Sequence, residues 1–346
     1  MDEGGSAIMR KRPISMLDVA AHSQVSHQTV SRVLNDHKNV SLKTRVKVLA
    51  AMKELGYAPN LAARALSNGK TTTIGVLSYN STLFGPASLL HSVQNAAREI
   101  GYGVTLATTR GVDKLAITAG IRELVQSGVD GIILITPLTK GAQISEDILS
   151  GTPCVIVEGE GVKEMPSVNV DQLGGAQKAV EYLISLGHTN IAHISGPRTW
   201  YEASQRREGW QKALRNAHLD LGPLKYGDWS ANSGYQAITE IVQESNATAV
   251  FVANDAMALG VLKALNNHKV QVPTQMSVIG FDDIPESEFM IPALTTIRQE
   301  FRSVGILSLE LLMDRIGKKK SDSFHIAVPA ELIVRKSTAP VTNTKR

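Results

Sequence analysis

A single cysteine stands in 346 residues, so no disulfide can form within the chain and no pair of thiolates can hold a metal. Cys154 lies inside the apolar run PCVIVE, where a buried structural thiol is expected rather than a nucleophile. No run of about 18 uncharged apolar residues occurs, which excludes an ordinary membrane-spanning helix. The opening stretch MDEGGSAIMRKRP carries charges but no apolar h-region, so it is not read as a secretory signal. A soluble, cytoplasmic protein is expected. Catalytic signatures are missing as well: there is no G-x-G-x-x-G after the first core strand, no H-E-x-x-H and no G-x-S-x-G elbow. The expectation is a chain that is not an enzyme and uses no cofactor and no metal.

What is present is an apolar fraction of 43%, enough to fill the two or three domains that this length suggests. The net charge of +4 is unevenly spread. Residues 1–70 hold 11 Lys and Arg against 5 Asp and Glu, and the rest of the chain holds 25 against 27. The basic character sits in the first fifth, which fits either a small module facing a polyanion or a solvated basic tail.

The pattern inside that segment separates the two. MLDVAAHSQVSHQTVSRVLN reads as a helix from about Met16, a tight turn around Ser23 to Val25, and a second helix with Ser26 as N-cap. This is helix-turn-helix spacing. A third helix follows, with Ser41 as N-cap, Val46, Leu49, Met52 and Leu55 inward, and Gly56 at its C-terminal end. In the second helix Val30, Val33 and Leu34 take one face, leaving His27, Gln28, Ser31 and Arg32 on the other. Gln pairs bidentately with adenine and Arg with guanine in a major groove, and Gln28 and Arg32 are four residues apart on that face. His27, at the helix start, is placed for a third base edge. Ser26, Thr29, Ser31 and Asn35 suit phosphate oxygens, which set register without reading sequence. The expected partner is double-stranded DNA.

The stretch LDVAAHSQVSHQTVSRVLNDHKNVSLKTRVKVLAAMKELGYAPNLAARALSNGKTTTIGVL resembles the headpiece, hinge and first core strand of the lactose repressor (LacI/GalR) family of bacterial transcription regulators. The resemblance continues through GHTNIAHISGP, RREGW, GDWSANSGYQ, VANDAMALG, SVIGFDD and LTTIRQEF, covering nearly the whole chain. It implies an operator-binding repressor and adds Asn39, Ser41 and Thr44 to the DNA-contacting set.

NLAARALSNGK reads as a short amphipathic helix with Asn60 as cap, too short to be stable alone in water. The resemblance implies a hinge helix that orders on operator DNA, with Ala63 and Arg64 toward the minor groove and Leu66 wedged between base pairs beside its dimer mate. The alternative is a plain linker in which Leu66 covers the core.

From Thr73 the text changes. TIGVLS, GVTLAT, GIILIT and CVIVE alternate with helical stretches, and IAHIS, AVFVAN and SVIGFD form a second such series. This is the alternation of doubly wound parallel sheets. The late strand LTTIR, with the helix from Glu300 to Ile316, leads back to the first lobe. The expected fold is α/β: a three-helix helix-turn-helix headpiece with a hinge helix, then a bilobed core of two doubly wound parallel sheets, like the periplasmic sugar-binding proteins that the resemblance implies. The boundaries read are 1–13 for a flexible basic tail, 14–58 for the headpiece and 59–71 for the hinge and linker. The first core lobe takes 72–166 and 300–328, and the second takes 167–299 and 329–340.

Ligands of open parallel sheets bind beyond the carboxyl ends of the strands. Those ends carry Thr136, Glu158, Ser195, Asn254, Asp255 and Asp282, although each alone is more often a helix cap. The resemblance implies ligand contacts for Arg206, Asn254 and Asp282, a stacking face on Trp229, and lining roles for Phe84, Pro86, Gln299 and Phe301. Two positions depart from the family's lactose-responding member: Phe84 replaces a histidine and Glu158 an aspartate. Glu158 and Asp282 against a single Arg206 favour a neutral polyol over an anion, since desolvating a carboxylate beside an anionic ligand is costly. The effector is expected to be a small neutral carbohydrate whose binding closes the lobes and releases the operator, the alternative being a corepressor that tightens binding.

A transport-type binding protein fits the core but neither the headpiece nor the missing signal segment. One headpiece buries too little surface for useful specificity, so a homodimer on half-sites about a helical turn apart is expected. The final stretch AELIVRKSTAPVTNTKR has no heptads, so no tetramer is expected.

Overall fold

The computed structural model describes residues 12, 14–34, 37–57, 70–79, 82–109, 111, 113–137, 146–159, 165–318 and 325–341. They fall into two compact units, Met1–Thr71 and Thr72–Arg346. No helix among the described residues is long and apolar enough to cross a membrane.

In the first unit, α1 spans Met16–His22, α2 His27–Leu34 and α3 Leu42–Leu55. A capping box starts α1: Asp18 accepts from Ser15 N and Ser15 Oγ, both at 2.7 Å, while Asp18 N donates to Ser15 Oγ. Those Ser15 bonds, with Arg12 nearby, hold the Asp18 carboxyl below its ordinary range. The turn into α2 passes through Gln24 at φ 48°, a left-handed position uncommon outside glycine, and is closed by Val25 N donating to Ala20 O at 3.0 Å. Thr29 N donates to Ser26 Oγ at 3.1 Å and Thr44 N to Ser41 Oγ at 3.2 Å, so both expected N-caps form. Gly56 ends α3 at φ 63°.

The headpiece core is Val19, Ala20, Val30, Val33, Val48 and Ala51, with Met52 and Leu55 packed at its edge. The inward face of α3 thus differs from the expected one. Val46 is 60% and Leu49 51% exposed. Residues 48, 51, 52 and 55 form the i, i+3, i+4, i+7 stripe, and Val46 and Leu49 are rotated away from it.

The second unit holds two parallel sheets. The first contains β1 (Thr73–Tyr79), β2 (Gly103–Thr109), β3 (Gly131–Ile135), β4 (Cys154–Val157), β5 (Ser167–Val170) and β11 (His325–Val328), in the order β11-β5-β4-β3-β1-β2. The second contains β6 (Ile191–Ser195), β7 (Leu224–Tyr226), β8 (Ala249–Val252) and β9 (Ser277–Ile279), in the order β7-β6-β8-β9. Every residue of β3, β4, β6, β8 and β9 is buried, as expected of strands covered by helices on both faces. In the first lobe those helices are α4 (Phe84–Glu99) and α5 (Lys114–Gln126), with the short α6 (Glu146–Leu149) after β3. In the second lobe they are α7 (Gln172–Ser185), α8 (Tyr201–Asn216), α9 (Ala231–Glu244) and α10 (Asp255–Asn267).

One lobe assignment and one connection change. Ser167–Val170, placed at the start of the second lobe by sequence, pairs with β4 and β11 and closes the first sheet. Its SVNV run is too short and too polar in the middle to announce a buried strand. LTTIR also does not cross over: β10 (Thr296–Arg298) pairs antiparallel with β12 (Glu331–Ile333) and bridges Asp282 through Arg298. The crossing is made by α11 (Phe301–Ile316), which packs on α4 and under β3, β4 and β5. Asp283 ties the β10–β12 pair together, accepting from Arg298 Nε and Arg335 Nη2, both at 2.7 Å.

Candidate functional site

The headpiece presents one polar face. His27, Gln28 and Arg32 are exposed on α2, while Thr29 and Ser31 are half-buried. Ser26 and Thr29 share a hydroxyl–hydroxyl bond of 2.9 Å. Asn39 and Ser41 are exposed before and at the cap of α3, and Thr44 is half-buried in its first turn. The expected base-reading side chains therefore share the outer face of one helix. Asn35, Asn60, Ala63, Arg64 and Leu66, with the hinge helix that four of them belong to, lie outside the described residues.

In the second unit a cleft enclosing about 560 Å³ of empty space, partly open to solvent, lies at the carboxyl ends of the strands. It brings together all ten residues expected there: Phe84, Pro86, Thr136, Glu158, Arg206, Trp229, Asn254, Asp282, Gln299 and Phe301. Ser195 and Asp255 do not line it. Asp255 is fully buried and accepts from Thr296 Oγ1 at 2.6 Å and Ile284 N at 3.0 Å, so it braces β10 against the start of α10. Burial first, then the charge of Asp282, pushes its carboxyl well above the ordinary range.

The polar floor is a closed ring of side chains. Arg206 Nε donates to Gln172 Oε1 at 2.8 Å, and Gln172 Nε2 donates to Gln299 Oε1 at 2.8 Å. Gln299 Nε2 donates to Asp282 Oδ1 at 2.7 Å, and Arg206 Nη1 completes the circuit to Asp282 Oδ1 at 3.4 Å. Glu158 joins it, accepting from Gln172 Nε2 at 2.9 Å and Val170 N at 2.6 Å. Arg206 Nη1 also donates to Ala253 O, and the guanidinium sits 3.8 Å from the centre of the Phe281 ring. A buried guanidinium held by so many acceptors is a fixed positive charge rather than a swinging arm.

Gln172 was missed by sequence reasoning. It follows β5, the strand that SVNV did not reveal, so its place at a strand's carboxyl end was invisible. Glu202 was missed too. An acidic residue in the first turn of a helix reads as a partner for the helix dipole, and that signal says nothing of a cleft. Trp200, Leu83, Leu89, Ile135 and Pro137 complete the apolar lining.

Backbone geometry aims several of these groups. Glu158 has φ 54°, Trp229 75° and Asp282 118°, conformations that cost energy in non-glycine residues and cluster where side chains must be placed. Trp229 is clamped: Asn254 Nδ2 donates to its carbonyl at 3.2 Å, Trp200 meets its ring edge-on at 5.6 Å, and Gly196 leaves the room, since a Cβ there would lie 2.3 Å from the indole. Phe84 and Phe301, each the first residue of its helix, pack edge to face at 5.9 Å and make the apolar end.

Three carboxyls face one guanidinium, and burial drives each of them up. Glu158 is pushed to about 7, relieved in part by its bonds from Val170 and Gln172. Asp282 reaches about 6, held down by Arg206 and Gln299. Glu202 reaches about 8, because burial is compounded by the charge of Glu158. Such a cleft disfavours a further buried charge, and its carboxyls offer hydroxyl groups acceptor oxygens and, where the proton is kept, a donor.

Headpiece and cleft define a class: a helix-turn-helix module carried by a periplasmic-binding-protein-like core. The family model for bacterial regulatory proteins of the lacI family matches residues 15–60, and that for the periplasmic binding protein-like domain matches residues 180–338. The lactose operon repressor of Escherichia coli is 34% identical over 336 residues, 96% of this chain and 93% of that protein. The ribose operon repressor of the same species is 37% identical over 311 residues, 87% of this chain and 93% of that one. A crystal structure of the lac repressor dimer bound to operator and the anti-inducer ONPF superposes with a TM-score of 0.87 at 33% identity, covering 95% of this chain and all of that one. The chain belongs to the LacI family of DNA-binding transcription regulators.

Proposed function

We propose that this regulator binds a pseudo-palindromic operator as a homodimer and releases it when a small neutral sugar fills the cleft. Gln28, Arg32 and His27 read base edges in the major groove, while Ser26, Thr29, Ser31, Asn39, Ser41 and Thr44 position the headpiece on phosphates. The sugar is held by Arg206, Asn254, Asp282, Glu158, Thr136 and Gln299, stacks on Trp229, and rests against Phe84, Pro86 and Phe301. The protein acts in the cytoplasm and carries out no catalysis, in keeping with relatives that are named as repressors.

The observation that carries this reading is the ring through Gln172, Arg206, Asp282 and Gln299. It joins α7 and α8 of the second lobe to the Gln299 segment that feeds α11 into the first, so a ligand seated on it touches the chain where the lobes are connected. A sugar that binds one arrangement of the lobes better than the other shifts their balance, and DNA affinity follows by linkage.

The test is a gel shift with the regulator's own upstream DNA, with and without neutral sugars. A specific shift relieved by one of them is expected. A sugar that tightens the complex reverses the sign of control, and no specific shift with any upstream segment overturns the repressor reading.

A further inference from the structure

Three buried polar atoms among the cleft-lining residues have no hydrogen-bond partner: Thr136 Oγ1, Glu202 Oε2 and Trp229 Nε1. Unsatisfied buried groups of this kind are few in native proteins and call for an explanation. Every other carboxyl of the cleft is engaged within the protein, Glu158 by Val170 and Gln172 and Asp282 by Gln299 and Arg206. Among the cleft-lining carboxyls Glu202 alone has a buried oxygen without a partner, although the residue as a whole is half-exposed.

The chemical character of the three atoms narrows what can satisfy them. An indole N–H only donates, a threonine hydroxyl does both, and the Glu202 carboxyl, which keeps its proton up to about 8, can donate as well as accept. A ligand ammonium would have to displace that proton and would leave Trp229 Nε1 unmet. A ligand carboxylate or phosphate would suit Trp229 but would be buried beside Asp282, the carboxyl of the cleft that ionises first, at a high cost. A hydroxyl serves either atom. Trp200 links the two positions structurally, since it caps the helix that carries Glu202 and packs edge-on against Trp229.

Resting on the reading of the cleft as the effector site, we infer that Glu202 is its specificity-determining residue: with Trp229 Nε1 it recognises a hydroxyl-bearing edge of a neutral carbohydrate. Thr136, at the carboxyl end of β3 in the other sheet, meets a hydroxyl from the first lobe. The ligand is thereby gripped from both lobes by atoms that are unsatisfied without it, which favours the closed arrangement.

The experiment is calorimetry and thermal shift on the full chain with D-ribose, D-glucose, D-galactose, lactose and cellobiose, with D-glucosamine and D-gluconate as cationic and anionic counterparts. Wild type, Glu202→Gln, Glu202→Ala and Trp229→Phe are compared, and the melting temperature of each unliganded variant reports its folding. For the sugar that binds, Glu202→Ala should lose about 10–100-fold in affinity and Glu202→Gln, which still accepts a hydrogen bond, no more than about 10-fold. One monodeoxy analogue of that sugar should bind wild type and Glu202→Ala alike, because the bond is already gone. Undiminished binding to Glu202→Ala with no discriminating deoxy sugar overturns the role of Glu202 while leaving the effector cleft standing. Preference for D-glucosamine, abolished by Glu202→Gln, overturns the hydroxyl in favour of a cation. No binding of any neutral sugar to wild type removes the effector reading, and this inference with it.

Discussion

Arg206 and Asp282 face each other across 3.4 Å at the base of the cleft, with side chains only 5% and 9% exposed. A buried pair is not a dependable source of stability, but removing one partner strands the other. Arg206→Met should cost about 3 kcal/mol of core stability and abolish effector binding. The loss is limited because Asp282, already raised to about 6, can take up a proton. Asp282→Asn keeps the Gln299 contact and should unfold later than Arg206→Met in urea. Equal midpoints for Arg206→Met and wild type would show that the guanidinium is not the electrostatic centre of the ring.

The carboxyl cluster predicts an unusual pH response. Glu158 and Glu202 hold their protons to about 7 and about 8 in the fold, against an ordinary value of 4.5. Between those limits the folded chain binds more protons than the unfolded one, so these groups make stability fall as pH rises. His193, lowered to about 3 by burial between Trp210 and Phe251, and His188, also lowered by burial, act the other way. Their effect fades as pH rises past the ordinary histidine value of 6.5 and is spent about a unit above it. From about pH 7.5 to 8.5 the carboxyls act unopposed. Melting temperature should drop across that window and drop less in Glu202→Gln. A flat wild-type profile at constant ionic strength contradicts it.

Much of this was legible in the sequence because the relevant signals are local. Ser26 and Ser41 cap helices whose apolar spacing is plain, and short β-rich runs such as GIILI and CVIV, alternating with helical stretches, read as buried strands. The ends of recognised strands pointed to Thr136, Glu158, Asn254 and Asp282. What was not legible depended on pairing at a distance. Ser167–Val170 is a strand only because β4 and β11 lie on either side, and Gln172 was lost with it. Val46 and Leu49 carry apolar side chains on a helix whose neighbours cover a different face, so composition alone misplaced them. Glu202 enters the cleft because of how α8 leaves β6, and no spacing rule states that.

Dimerisation is expected to use the second lobe. Leu259 is 49% exposed on α10, and Phe289 and Ile291 are 79% and 93% exposed in and after the 3-10 turn Pro285–Phe289. The turn and the helix start together, since Ile284 N donates to Asp255 Oδ2 and Leu259 lies one turn further on. Large apolar side chains left exposed mark association surfaces. Leu259→Asp combined with Ile291→Asp should convert a dimer to monomers in sedimentation and reduce operator affinity, because one headpiece on one half-site binds weakly. A variant that still sediments as a dimer places the interface elsewhere, and a stable wild-type tetramer defeats the dimer itself.

On the headpiece, the face of α2 separates base reading from phosphate anchoring. Gln28 and Arg32 are exposed one turn apart on the helix, whereas Lys43 is exposed in the first turn of α3. Each good bidentate contact to a base is worth about 1–3 kcal/mol of discrimination. Gln28→Ala and Arg32→Ala should each lose about that much on the best operator and relax preference at one base pair, with little change on random DNA. Lys43→Ala should instead weaken binding across all sequences and lower the slope of log affinity against log salt by about 1. The distinguishing measurement is a titration of every single-base operator variant at two salt concentrations. If Arg32→Ala shifts all of them equally and reduces the salt slope, Arg32 holds a phosphate, and sequence is read elsewhere on the helix.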